Sequence, residues 1–172
     1  MTLAHQLANA IDRFIDLVGR AFSWLALVVA LVMGANVLLR YGFALGWIWA
    51  QELEWHLLVP LTLVGMSYAL RHGEHVRVDV LFSRFSARSK IVVDILSAVI
   101  AMIFAILVIA LSIPYVEQSW NIGEGSPNPG GIDYRYIIKS MIPVGFGLLF
   151  LQSLSHAIRF SLALRGDGNA VS

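Results

Sequence analysis

The stretch "WAQELEWHLL", residues 49–58, places Glu52, Glu54 and His56 directly before an apolar run that continues to Leu70. A helix that rises about 1.5 Å per residue needs roughly 20 apolar residues to cross about 30 Å of hydrocarbon. A carboxylate is stabilised by about 0.3–1 kcal/mol near a helix N-terminus, whereas at the bilayer centre it costs about 2.5–3.5 kcal/mol. The stretch therefore predicts a membrane span with its ionisable groups confined to the first two turns.

The composition is that of a membrane protein. Hydrophobic residues make up 58% of the 172 residues and charged residues only 13%, and the mean hydropathy is +0.75. The net charge of +1 gives no indication of nucleic-acid binding. Because the chain has no Cys, disulfides, thiolate nucleophiles and Cys-ligated metals are excluded.

Three further stretches are as long and apolar as the one after His56. Together they predict four spans, at about residues 21–40, 48–71, 90–117 and 138–160. Short loops join these spans, so we predict an all-α integral membrane protein in which residues 20–165 form one four-helix membrane domain. Residues 166–172 are predicted to be a cytoplasmic tail.

Two segments are amphipathic rather than spanning. Residues 1–19 carry apolar side chains at helical spacing and polar side chains elsewhere on the wheel, which predicts a helix on the cytoplasmic membrane surface. The segment "VRVDVLFSRFSARSK", residues 76–90, mixes apolar and basic residues. This mixture is typical of a connector bedded in anionic headgroups.

The distribution of Lys and Arg predicts the orientation. Nine of the 12 basic residues fall at the termini and in the loop between spans two and three, and only Arg40, Arg135 and Lys139 fall on the other side. Because cytoplasmic segments carry the excess of basic residues, both termini are predicted to be cytoplasmic. Four of the five Trp residues fall at the predicted outer boundary, where Trp prefers the headgroup level.

The ionisable residues at the start of span two leave three interpretations open. Glu52 and His56 share one helix face, while Glu54 projects to nearly the opposite side. The three side chains could simply be polar residues at the membrane boundary. They could instead contact a partner protein or a water-filled crevice, or they could form a proton or ion site. The ion site is the weakest of these, because the three other apolar runs, of which the third covers 91–116, contain only one acidic residue, Asp94, at the opposite surface.

No catalytic set is visible, so we predict that the protein is not an enzyme. The span serines have no His and acid at matching depth, and the Gly/Pro-rich loop 121–135 lacks the Lys-Ser/Thr of a phosphate-binding loop. His56 and His156 are predicted at different depths, which disfavours a haem held between helices. The profile is that of an accessory subunit, and a haem-binding or other membrane anchor of a redox complex is the alternative.

The stretch "RYGFALGWIWAQELEWHLLVPLTLVGMSYALRHGEHVRVDVL", residues 40–81, resembles the small, DctQ-type permease subunit of TRAP (tripartite ATP-independent periplasmic) transporters. The family pattern has Arg-Tyr after the first span, then Trp with closely spaced acidic residues, and a Tyr-Ala-Leu-Arg end before a His-x-Arg-Val-Asp turn. The matching positions are Arg40, Tyr41, Trp49, Glu52, Gly65, Tyr68, Ala69, Leu70, Arg71, His75, Arg77, Val78 and Asp79. Many members have two adjacent Glu residues where this chain has Gln51 and Glu52. The loop at 122–139 is similar to that of the subgroup associated with mannitol/chloroaromatic or 2-oxo acid transport.

The resemblance implies a three-part, sodium-coupled transporter in the bacterial inner membrane. A DctP-type periplasmic binding protein would capture an organic acid, and a large DctM-type permease subunit would move it. This small subunit would brace the large one, contact membrane lipids and help to dock the binding protein. The sodium and substrate sites would belong to the large subunit, so no cofactor or metal is expected here.

The resemblance and the residue pattern together give two candidate sites. The candidate subunit interface comprises Trp49, Glu52, Glu54, His56, Gly65, Arg71, Arg77 and Asp79. The candidate docking loop for the binding protein comprises Glu124, Ser126, Asn128, Pro129, Gly130 and Gly131.

Overall fold

A computed structural model describes residues 3–73 and 85–164 and places them in four helices. These are α1 (Leu3–Gly42), α2 (Ile48–His72), α3 (Ala87–Asn121) and α4 (Arg135–Leu164). Each helix is long and apolar enough to cross a membrane, and the described residues contain no strand. The prediction of an all-α membrane protein with four spans is confirmed. We call the end with the 122–134 loop the loop end, and the other the terminal end.

The first helix is continuous, whereas the sequence predicted a separate surface helix over residues 1–19. α1 has 40 residues and is therefore about 60 Å long. The amphipathic segment forms its first half, and the apolar face of that half is buried at Ala8, Ile11 and Ile15. Nothing breaks the helix near residue 20, because α1 contains no proline and Gly19 packs directly against the Tyr68 ring.

Helices α1, α2 and α4 pack against one another, and α3 packs along α4. The buried core of the three-helix group lies toward the terminal end and consists of Ile11, Ile15, Val64 and Leu148. Half-buried apolar side chains surround it, namely Val18, Phe22, Leu151 and Leu154. This core fixes the first half of α1 against the two helices that carry most of the polar residues discussed below.

Small side chains let α3 approach α4 closely. The buried positions of α3 are Ala98, Ala105, Ser112 and Ser119, which recur at seven-residue intervals. Small residues at such spacing allow the backbones of membrane helices to come together. Much of the remaining surface of α3 is apolar and exposed, as at Leu111, so it is suited to contact lipid or another membrane protein.

The α1–α2 contact at Gly19 gives a testable prediction. A Cβ at position 19 would lie 2.9 Å from the Tyr68 Cβ and closer still to its ring, whereas a Cβ at Gly34 meets nothing within 4 Å. We expect Gly19→Ala to destabilise the protein by about 1–3 kcal/mol through overpacking. Gly34→Ala should be neutral, or stabilising by up to about 1 kcal/mol through helix propensity. Thermal unfolding in detergent measures both, and equal shifts in Tm would contradict the prediction.

Candidate functional site

Glu52 lies in the second turn of α2 and is only 4% exposed. Its Oε1 accepts hydrogen bonds from the Ser126 hydroxyl at 2.6 Å and the Asn128 amide at 3.2 Å. Its Oε2 accepts from the backbone N–H of Ile132 at 2.7 Å. The Arg135 guanidinium lies 3.7 Å from the same carboxylate. These five residues, which we call the Glu52 cluster, tie the start of α2 to the loop between α3 and α4.

Gly131 allows this loop to approach Glu52 closely. A Cβ on Gly131 would lie 2.7 Å from Glu52 Oε2 and would collide with the Ser126 side chain. The backbone N–H of Gly131 donates to Asn128 O at 3.0 Å, and Gly130 has a φ of +79°, which glycine adopts readily. Pro127, Pro129 and Gly130 are exposed. The loop is therefore a turn folded over a carboxylate, with an exposed tip.

A second contact fastens the same loop to α3 and α4. Glu124 forms an ion pair with Lys139, whose ammonium also lies 4.0 Å from the centre of the Tyr115 ring. The backbone N–H of Glu124 donates to Ser119 O, and the N–H of Arg135 donates to Glu124 O, both at 3.0 Å. The hydrogen bond from Lys139 lowers the pKa of the Glu124 carboxyl below its ordinary value.

The Glu124–Lys139 pair predicts how loop stability depends on pH. Because the folded-state pKa of Glu124 is lowered, its contribution is fully present above the ordinary value of 4.5 and is lost as pH falls through the folded-state pKa. We expect wild type to be more stable than Glu124→Gln near neutral pH, and the two to converge in acid. Tm measured from pH 7 to pH 3 tests this. The difference should shrink in a Lys139→Gln background, because the hydrogen bond from Lys139 is the largest cause of the lowered pKa of Glu124, and an unchanged difference there would contradict the assignment.

Glu54 and His56 do not join the Glu52 carboxylate. Glu54 faces α1, where the Asn36 amide donates to it at 2.7 Å and to Ala50 O at 3.0 Å. His56 Nδ1 lies 2.7 Å from the backbone oxygen of Glu52, so that nitrogen carries the proton. The two carboxylates of the opening stretch therefore make separate contacts, one with the loop and one with α1.

The remaining predicted interface residues are scattered. Trp49 is 49% exposed and stacks on Trp47, with ring centroids 6.2 Å apart. Gly65 has open space where a side chain would be, so both positions leave room for a neighbour. Arg77 and Asp79 lie outside the described residues.

A second polar cluster, missed by sequence reasoning, lies near the terminal end around Asp12. Asp12 is only 2% exposed. Its Oδ1 accepts from the Ser155 hydroxyl at 2.7 Å and the Gln152 amide at 3.1 Å. Its Oδ2 accepts from Arg159 Nε at 2.9 Å and Nη2 at 2.5 Å. These four residues form the Asp12 cluster, which links α1 to α4.

Arg71 extends this linkage to α2. Its Nε lies 3.7 Å from Asp12 Oδ2 and 3.8 Å from Asp16 Oδ2, so a predicted interface residue here contacts its own chain. A signal for the cluster was present in the sequence, because Gln152, Ser155 and Arg159 are spaced by three and four residues. That spacing places all three on one face of a mostly apolar helix.

The Asp12 cluster predicts a large and specific loss of stability. Asp12→Asn removes the carboxylate that pairs with Arg159, whose side chain is 17% exposed, and we expect a cost of about 3 kcal/mol, at the lower end for a buried pair. The matched control is Asp16→Asn, because the Asp16 side chain is 25% exposed and its ion pairs are long. We expect the control to cost below about 1 kcal/mol. Thermal unfolding in detergent measures both, and similar losses would argue against a buried ion pair.

Within the described residues, no group of three or more His, Asp or Glu side chains is placed to hold a metal ion. His56 lies near the loop end of α2 and His156 near the terminal end of α4. The two imidazoles therefore do not face each other at one depth, as a haem held between helices requires.

Four membrane-length helices, fastened near both ends by buried carboxylates, define a multi-pass helical membrane protein with a braced body. The sequence pattern of the DctQ component of the tripartite ATP-independent periplasmic transporters matches residues 29–162. The chain therefore belongs to this family of TRAP transporter small permease proteins.

Individual relatives agree with the family match. The chain is 26% identical to the C4-dicarboxylate TRAP transporter small permease protein DctQ of Vibrio cholerae, over 75% of this chain and 64% of that protein. It is 25% identical to the ectoine TRAP transporter small permease protein TeaB of Halomonas elongata, over 73% of this chain and 64% of that protein. It is 27% identical to the C4-dicarboxylate TRAP transporter small permease protein DctQ of Rhodobacter capsulatus, over 66% of this chain and 49% of that protein. The match thus spans less than two thirds of the length of these relatives.

Proposed function

We propose that this chain is the small membrane subunit of a sodium-coupled, binding-protein-dependent TRAP transporter that imports an organic acid. It would lie in the bacterial inner membrane with both termini cytoplasmic. Membership of the DctQ family supports the subunit role, and the C4-dicarboxylates named for two relatives support an acidic substrate. The sodium and substrate sites would belong to a large permease subunit.

The observation that carries this proposal is the Glu52 cluster. In this cluster a buried carboxylate accepts hydrogen bonds from the loop and holds the loop against α2. The loop then presents Pro127, Pro129 and Gly130 to solvent. A surface that is already ordered loses little conformational entropy when a partner binds. Such a tip suits docking of the periplasmic binding protein.

The braced body suits the second part of the role. The Glu52 cluster fixes α2 to the loop and α4, and the Asp12 cluster fixes α1 to α4. Apolar side chains cover much of the outer surfaces of α1 and α3, for example Leu38 at 71% and Leu111 at 68% exposure. A rigid four-helix body with such surfaces can enlarge the static part of a transporter against which another part moves.

The docking role is tested by uptake of the transported acid in cells that express the whole transporter. Glu52→Gln removes the charge that Ser126, Asn128 and Ile132 hydrogen-bond. Hydrogen bonds to charged groups are worth about 1.5–3 kcal/mol, so we expect docking, and uptake at limiting substrate, to fall about tenfold or more. The large subunit should still co-purify with the variant.

The control is Glu117→Gln, which removes an exposed carboxylate near the loop end of α3; it should leave uptake unchanged. Normal uptake by Glu52→Gln at equal protein level would overturn the docking role. Normal uptake by a strain that lacks this chain would overturn the proposed function itself.

A further inference from the structure

A polar cleft of about 260 Å³ lies between the end of α1 and the start of α2. The side chains that matter for its chemistry are Asn36, Arg40, Tyr41, Trp47, Gln51 and Glu54. Since a water molecule occupies about 30 Å³ in the liquid, the cleft has room for a group of many atoms rather than a single ion. It is separate from both the Glu52 cluster and the Asp12 cluster.

The link between the two helices forms one wall of this cleft. The backbone N–H groups of Phe43 and Leu45 both donate to Leu39 O at 3.1 Å, which folds the link back onto the end of α1. Ala44 has a φ of +55°, and a left-handed backbone is sterically disfavoured at a residue other than glycine. The wall is therefore held in a specific, strained conformation.

Residues of opposite charge, Arg40 and Glu54, line the cleft. Arg40 lies in the last turn of α1, and Glu54 lies in the second turn of α2, where one of its oxygens accepts from Asn36. In the part of the chain that the structure describes, neither residue takes part in an ion pair. A cation and an anion in one cleft are complementary to a ligand that carries both charges.

The position of the cleft identifies where such a ligand comes from. Tyr41 is 83% exposed and Trp47 is 45% exposed, and both aromatic types prefer the headgroup level of a membrane. Glu54 lies six residues into α2, about 9 Å along its axis from the first residue. The carboxylate is thus on the hydrocarbon side of the aromatic residues, within reach of a lipid headgroup.

We propose that this cleft binds the headgroup of a zwitterionic aminophospholipid from the leaflet at the loop end. The primary ammonium donates to the Glu54 carboxylate, and the phosphate pairs with the Arg40 guanidinium. Tyr41 and Trp47 contact the glycerol region. This inference does not depend on the transport role proposed above.

The test uses the full chain in phosphatidylglycerol nanodiscs doped with phosphatidylethanolamine or phosphatidylcholine of identical acyl chains, and measures retained lipid by native mass spectrometry. A quaternary choline has no N–H to donate, so we expect wild type to retain phosphatidylethanolamine about tenfold better. Glu54→Gln, which keeps an oxygen for Asn36, should abolish this preference. Arg40→Gln should weaken retention of both lipids, and Glu117→Gln should resemble wild type.

Three results would overturn the proposal. One is equal retention of the two lipids by wild type, and another is a preference that survives Glu54→Gln. The third is binding of free phosphoethanolamine as tightly as of the lipid, because the site would then serve a soluble molecule. If a basic side chain of a partner protein filled the cleft instead, the assembled transporter would retain the two lipids equally, and the proposal would be overturned.

Discussion

A carboxylate stays charged inside an apolar body only if protein donors replace the water that it loses. Asp12 and Glu52 meet this requirement near opposite ends of the four-helix body, and each recruits donors from a distant part of the chain. The donors of Asp12 lie on α4, and those of Glu52 lie on the loop that leads into α4. The arrangement of α1, α2 and α4 follows from satisfying these two charges together with burial of one small apolar core.

Much of the fold could be predicted because a membrane span is a property of local composition. Length and apolar character were enough to place α2, α3, α4 and the C-terminal end of α1 to within four residues, but not the start of α1, which lies at Leu3. The continuity of α1 was not predicted. The polar residues on one side of the helical wheel of residues 1–19 suggested that this segment lies among lipid headgroups. In the structure the acid at position 12 instead faces a guanidinium 147 positions further along the chain. Contacts of that separation leave no trace in local periodicity.

The sequence identified the residues of the candidate site but not the contacts between them. The acids at the start of α2 and the Gly/Pro-rich loop were both singled out, yet nothing in the sequence indicated that Glu52 holds the loop. The glycine at position 131 is explained only by the folded loop, in which Ser126 and the Glu52 carboxylate both lie where a side chain would be. Similarly, α3 is so uniformly apolar that pattern alone could not identify Ala98, Ala105 and Ser112 as the stripe facing α4.

The Asp12 cluster also joins residues that the ribosome makes at very different times. The acid belongs to the first of the four described helices and its guanidinium partner to the fourth, so the ribosome makes the acid well before the guanidinium. Until α4 is made, Asp12 lacks Gln152, Ser155 and Arg159 as donors, and Arg71 of α2 is the earlier residue whose charge lies beside it in the folded protein. Docking of α4 is therefore what completes the hydrogen bonds of Asp12, and a chain interrupted before Gln152 leaves that acid without all three of its α4 donors.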